Sequence, residues 1–274
     1  MRLIFTGLFA LLALVALQLS ARAEIVLTTS TYTQDFDSLG TTTVAGAFSS
    51  TIGTISPIPN LTSWDGAKVA GTGTTSTALT ANNGAATSGG LYSFGANAAV
   101  DRALGAIASG SNAMGFGFQL RNNTGATITG LDISFTQENW RSSTSQQNTI
   151  TAGWALGSGS ITSGNYLTAS GFNAVADLNL VGPNPVTPNG ALDGNDAANQ
   201  VARSTSISGL SLAQGDSIFF RWVDTDNSGS DAGLAIDNFS LTAFSSSAVP
   251  EPATLSLLGV AIGLGAVARF RRKS

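Results

Sequence analysis

At 274 residues the chain has room for one large all-β domain or two small ones. Only 10% of its residues are charged, and 16 acidic against 12 basic side chains leave a formal charge of −4. It contains neither cysteine nor histidine. That excludes disulfides, thiolate nucleophiles, most zinc sites, and Ser-His-Asp or Cys-His catalysis.

With so few charges, the polar surface must come mostly from Ser, Thr, Asn and Gly. The 32 glycines predict many short strands joined by tight turns, because Thr suits a pleated surface and Gly and Asn suit positive-φ turns. A hydrophobic fraction of 43% supports a real core rather than disorder. Between residues 24 and 249, fifteen carboxylates face six cations, a balance of −9. A body so acidic repels phosphate backbones, so no nucleic-acid partner is expected. Cations are the natural partners instead.

Residues 1–23 read as a secretory signal peptide in helical form. Arg2 gives the basic start, residues 3–19 the apolar stretch, and Ala21 and Ala23 the small-x-small site for signal peptidase. A retained anchor is the alternative. The body, residues 24–244, then reads as strands. Gln34-Asp35-Phe36-Asp37 is a short extended segment closed by Ser38-Leu39-Gly40. Residues 72–90 are poor in large apolar side chains, which predicts a long loop or a weak edge hairpin.

Met114, Phe116, Phe118 and Leu120 alternate with Gly115, Gly117 and Gln119, the pattern of a half-buried strand. After a turn at Asn122-Asn123-Thr124-Gly125, residues 128–141 place Leu131, Ile133 and Phe135 on one face. The two strands are expected to form a hairpin. Residues 146–156 give a weaker strand, and 180–198 a loop rich in Pro, Gly and Asn. Strands resume at 204–210, 217–223 and 234–244.

In the last of these, Leu234 and Ile236 share a face, yet Phe239 and Leu241 continue in the opposite phase. A bulge near Asp237 and Asn238 would reconcile them. No stretch of the body sustains a 3.6-residue period, so the expected fold is all-β, an antiparallel β-sandwich of jelly-roll type. Residues 245–249 form a Ser-rich linker.

The tail, residues 250–274, has three parts. Pro250-Glu251-Pro252 leads, an apolar run follows over 253–268, and Arg269, Phe270, Arg271, Arg272 and Lys273 stop it. As a helix the run spans about 24 Å, a little short of the bilayer core, with basic residues placed to stay cytoplasmic. This order resembles the PEP-CTERM sorting domain of Gram-negative bacteria. The resemblance implies an exported chain held transiently in the membrane by its single apolar helix. An exosortase then recognises the triplet and removes the helix. It also implies a cell-surface or secreted protein associated with extracellular polysaccharide.

Two constellations in the body point to calcium, the one candidate cofactor. Asp224-Thr225-Asp226-Asn227-Ser228-Gly229-Ser230-Asp231 sets oxygen ligands at alternate positions with Gly sixth, which resembles the first half of an EF-hand loop. The twelfth position is Ala235, not Glu, and a solvated hairpin turn is the alternative. Separately, Asp35-Phe36-Asp37 and Leu234-Ala235-Ile236-Asp237-Asn238-Phe239 are similar to the first and last strands of jelly rolls of the MAM and carbohydrate-binding kind. That likeness implies a calcium ion between those strands, with Asp37 and Asp237 as ligands and Asp35 as a further candidate. Asp237 can equally serve backbone donors at the bulge.

Glu138-Asn139-Trp140-Arg141 joins a carboxylate, a ring and a guanidinium, but a glycosidase needs a second carboxyl that the sequence does not name. Trp64, Trp140, Trp154 and Trp222 are either sugar platforms or core. The leading expectation is a non-catalytic matrix or surface protein. A calcium-stabilised carbohydrate-binding module and a carboxylate-dependent glycan hydrolase are the alternatives.

Overall fold

The computed structural model describes residues 24–186 and 188–245. The signal segment with Ala21 and Ala23 lies outside them, as do the linker beyond Ser245 and the tail with Pro250, Glu251, Pro252, Arg269, Arg271, Arg272 and Lys273. Both terminal helices expected from the sequence therefore fall outside the described residues. Among those residues, no helix is long and apolar enough to cross a membrane.

Strands dominate. In chain order they begin with β1 (Ile25–Leu27), β2 (Thr31–Gln34), β3 (Val44–Phe48), β4 (Ser56–Pro57) and β5 (Trp64–Ala70). Next come β6 (Thr77–Asn82), β7 (Gly90–Phe94), β8 (Ala103–Ile107), β9 (Ala113–Asn122) and β10 (Ile128–Arg141). The series closes with β11 (Thr149–Leu156), β12 (Asn173–Ala174), β13 (Leu180–Val181), β14 (Gln200–Leu212), β15 (Ser217–Val223) and β16 (Gly233–Ser245).

They form two sheets packed as a sandwich. One runs β12-β11-β15-β9-β5-β4, with β1 beside β9 and β13 beside β11. The other runs β14-β10-β16-β8-β7-β6-β3, with β2 beside β16. Pairing is mostly antiparallel, as expected, but β1 lies parallel to β9 and β6 parallel to β7.

The expected hairpin of 114–120 with 128–141 does not form. β9 belongs to the first sheet and β10 to the second, so the chain crosses between sheets over residues 123–127. Buried Asn122 fixes the crossing. Its Nδ2 donates to the carbonyls of Ala126 at 2.7 Å and Leu212 at 2.8 Å, and its Oδ1 accepts from the Thr124 N–H at 3.0 Å. Alternation reports which side chains are buried, not which strand is the neighbour. Both strands turn apolar faces to one core from opposite sides. The polar stretch 72–90 also differs from expectation, because it contains β6, paired with β3 and β7.

The core is aromatic and spans both sheets. Phe239 of β16 meets Trp64, Phe118 and Trp222 of the opposite sheet edge-to-face, with ring centroids 5.6, 5.4 and 6.2 Å apart. Edge-on approach sets the positive rim of one ring against the negative face of another. Both buried indoles are satisfied: Trp64 Nε1 donates to Tyr32 Oη at 2.9 Å, and Trp222 Nε1 to the Leu178 carbonyl at 3.0 Å.

The bulge is where the phase change requires it. The β10–β16 register shifts between Ser134 and Thr136, which face Ser240 and Asp237. Asn238 supplies the extra residue in left-handed conformation at φ 51°. Leu234, Ile236, Phe239 and Leu241 thus all reach the inner core. Asp237 is left on the outer side.

Replacing the ring that joins the sheets, Phe239→Ala, is expected to lower stability by about 3–5 kcal/mol. A urea titration reads this as a lower midpoint at unchanged slope. A loss under about 1 kcal/mol would show that the ring is not a keystone.

Candidate functional site

One edge of β16 is shared by two strands. β8 pairs with Leu234, Ala235 and Ile236, and β2 pairs with Phe239, Ser240, Leu241 and Thr242. Asp237 and Asn238 stand in the gap between them. The antiparallel register directs the end of β2, with Asp35 and Asp37, and the start of β8, with Asp101 and Arg102, into the same gap. Phe36 makes the turn there. It is left-handed at φ 59°, fully buried, and packs edge-on against Trp64 at 5.0 Å.

The electrostatics of the gap are one-sided. Asp37 Oδ1 accepts from the Arg102 backbone N–H at 3.1 Å, and the Asp37 N–H donates to Asp35 Oδ1 at 3.3 Å. Asp237 is 3% exposed; its Oδ2 accepts from Asn238 Nδ2 at 2.7 Å, while its buried Oδ1 has no partner. Burial above all, then the charges of Asp101, Asp37 and Asp35, push its carboxyl up to about 7. The Arg102 guanidinium offers no relief, because it spends its donors on Ser93 and on the Ala96 carbonyl.

Glu138 joins the group from β10, where Thr136 faces Asp237 and Glu138 faces Ala235. It is 2% exposed. Its Oε2 accepts from Trp140 Nε1 at 2.9 Å and its Oε1 from Gln200 Nε2 at 3.3 Å. Trp140 stacks on Phe94 at 5.9 Å and 6°, and Gly194 lies against the indole where a Cβ could not fit. Burial first, with the charges of Asp237 and Asp101 adding, raises Glu138 to about 8. Burial under an aromatic lid thus favours its protonated form.

The structure thus brings Asp37 and Asp237 together, with Asp35, and adds Asp101 and Glu138. The sequence carried no signal for Asp101, and it flagged Glu138 only within the Glu138-Asn139-Trp140-Arg141 cluster, not beside Asp237, since strand pairing alone places both there. The second predicted group, Asp224, Asp226 and Asp231, also gathers, in the connection between β15 and β16. Gly229, at φ 95°, turns that connection back on itself. Five residues of mostly extended chain, a span of about 20 Å, lie between Asp231 and Asp237, so the groups are distinct. In neither do three or more such side chains, among the described residues, already close around one point as a metal cage. The donors are nonetheless hard oxygens, and the orphan Asp237 Oδ1 suits calcium. Asp37, Asp237 and Asp35 would hold it.

The tryptophans sort toward the core. Trp64, Trp140 and Trp222 are at most 1% exposed, and Trp154 is half-buried against the inner core.

Residues 248–273 match the family model described as the PEP-CTERM protein-sorting motif. The motif marks the chain as an exported protein addressed to an exosortase. No curated protein matches it. Among solved structures, TmCBM61 in complex with β-1,4-galactotriose is 9% identical over 53% of this chain and 72% of that one, with TM-score 0.29. The CBM22-1 xylan-binding domain of Paenibacillus barcinonensis Xyn10C is 9% identical over 52% and 82%, with TM-score 0.23. The Arthrobacter globiformis T6 isomalto-dextranase complexed with panose is 9% identical over 80% and 33%, with TM-score 0.32. Scores of this size give no residue of this chain a counterpart.

The raised carboxyls set a sign for pH dependence. Glu138 and Asp237 bind protons more tightly folded than unfolded, so their stabilisation is full near pH 4 and is lost as pH rises through about 7 and about 8. In excess chelator the protein should lose stability on the order of a few kcal/mol between pH 5 and pH 8. Glu138→Gln, which keeps a carbonyl for Trp140, should flatten part of that slope. A profile that stays level from pH 5 to 8 in both proteins would contradict the assignment.

Proposed function

We propose that this chain is a non-catalytic protein of the cell surface or extracellular matrix that associates with extracellular polysaccharide. In this reading signal peptidase and exosortase process it during export, and calcium in the Asp37–Asp237 gap stiffens its sandwich. The sorting motif at 248–273 carries the reading, because the resemblance stated for that motif implies this destination.

The body's surface is consistent with such a role. Strand register aligns Ser206, Asp132, Thr242 and Thr31 in one row across four strands, and Ser204, Ser134, Ser240 and Thr33 in the next. Neighbouring strands lie about 4.8 Å apart, so this outer face is a closely spaced field of hydroxyl donors and acceptors, shallowly concave where Asp132, Ser134, Ser204, Ser206, Ser240 and Thr242 line a depression. Such a field suits many weak hydrogen bonds to a hydrated polymer better than tight capture of one sugar. Buried Glu138 supports the non-catalytic part, because a glycosidase acid must reach the bond it protonates.

Two measurements test the proposal. With Glu251→Ala in the native host, the chain should accumulate in the membrane fraction at its unprocessed mass, and unchanged processing would reject the exosortase step. The processed protein should bind exopolysaccharide on a glycan array or in a sedimentation assay. Absence of binding to every polysaccharide tried would remove the polysaccharide role and leave the sorting intact.

A further inference from the structure

We propose that the connection between β15 and β16, residues 224–231, is a second cation site, separate from the gap beside Asp237, that takes a hard divalent ion such as calcium. The starting observation is a buried oxygen with nothing to bond. Asp224 is 4% exposed; its Oδ1 accepts from the Thr225 N–H at 2.9 Å, but its Oδ2 is buried without a partner. An unmet carboxylate oxygen in the interior costs several kcal/mol or forces protonation. Burial above all raises its carboxyl well above the usual range, and the charged groups that act on it, Asp231 and Asp226, are both negative and add to that. The orphan oxygen therefore belongs to a cluster of like charge.

The frame around it is rigid and built of oxygens. Asp231, itself 6% exposed, accepts from Asn148 Nδ2 at 3.1 Å through Oδ1 and from the Asn227 N–H at 3.2 Å through Oδ2. Asn148 also donates to Asn227 Oδ1 at 2.8 Å and accepts from the Ala232 N–H at 2.6 Å. These bonds leave lone pairs on Asp231 and on both asparagine oxygens. Asp226 is exposed and free to close over the centre, and a Cβ on Gly110 would lie 3.6 Å from its Oδ2. Thr144 pins the far side: its Oγ1 accepts from the Ser230 N–H at 2.8 Å and its N–H donates to the Ser230 carbonyl at 3.1 Å.

Calcium takes six to eight oxygens in flexible geometry, with carboxylates, amide carbonyls, backbone carbonyls and water all acceptable. Asp224, Asp226, Asp231 and Asn227 supply the charge and the first oxygens, and water completes the shell. Three carboxylates for one divalent ion also explain why no lysine or arginine is needed. The ion would tie the entry of β16 to the 142–148 segment and to the β8–β9 turn.

The test uses the full chain in mild detergent, with calcium as the probe. Calorimetric titration of the wild type should find two equivalents. Asp226→Asn, an exposed change that leaves the fold intact, should lose one equivalent and retain the other within about twofold of its affinity. Asp231→Asn should do the same, whereas Asp237→Asn should remove the other equivalent. In chelator, Asp224→Asn should melt higher than wild type, because a buried like charge is gone, and should no longer be stabilised through this site. Wild-type stoichiometry and affinity in both Asp226→Asn and Asp231→Asn would overturn the proposal. So would a single equivalent that only Asp237→Asn abolishes, or no binding at all. A single equivalent lost in Asp226→Asn would sustain it and reject the other site. None of these outcomes depends on whether the protein binds polysaccharide.

Discussion

One extra residue in the last strand decides both what the core contains and where the carboxylates stand. Without Asn238 at its left-handed φ, side chains after Ile236 would keep strict alternation, and Phe239 would point away from Trp64, Phe118 and Trp222. The bulge lets inner residues occupy both halves of β16. Its by-product is Asp237, turned outward at the point where β8 ends its pairing and β2 begins. A packing requirement and a charged gap thus come from the same backbone irregularity, which is where bulges often re-aim side chains.

With no disulfide available, the sandwich depends on that aromatic packing and on the long pairings of β10 and β16. Interior charge then becomes expensive. Glu138, Asp224, Asp231 and Asp237 are all at most 6% exposed, and among the described residues none sits in a close ion pair; that of Arg121 with Glu24 lies elsewhere, near the end of β9. A buried carboxylate is tolerable only when something neutralises it, either a proton or a metal ion. That alternative unites the pH dependence and the cation sites. Each is a statement about which neutraliser is present.

Much of the fold was legible because strand periodicity is local. The alternation in 114–120, 128–141 and 217–223 and the phase break before Phe239 located four strands and the bulge from side-chain pattern alone. Partnership was not legible. Asn122 ends β9 and looks like the start of a hairpin turn, yet its carboxamide bonds Leu212, ninety residues away, and sends the chain to the other sheet. Asp101 shows the same limit, since nothing local places it beside Asp237. Glu138 is a further case: its neighbours suggested a reactive cluster, but Trp140 and Gly194 seal it. The acid pair at Asp37 and Asp237 could be named because it resembled a known arrangement of first and last strands.

That arrangement has a consequence for folding. Gln34 pairs with Phe239, so the second strand of the body can take its place only when the last strand is present. Contacts this distant in sequence form late, since loop closure must precede any gain from pairing. β16 is also interior to its sheet, with β10 on one edge and β8 and β2 on the other. A chain emerging N-terminus first from synthesis therefore cannot complete its core until residues near 240 are present. The sorting motif begins at 248, three residues after β16 ends at Ser245. The strand that closes the sandwich is thus the one next in sequence to the sorting motif, so the last part of the body to be made is the part that both the core and the address depend on.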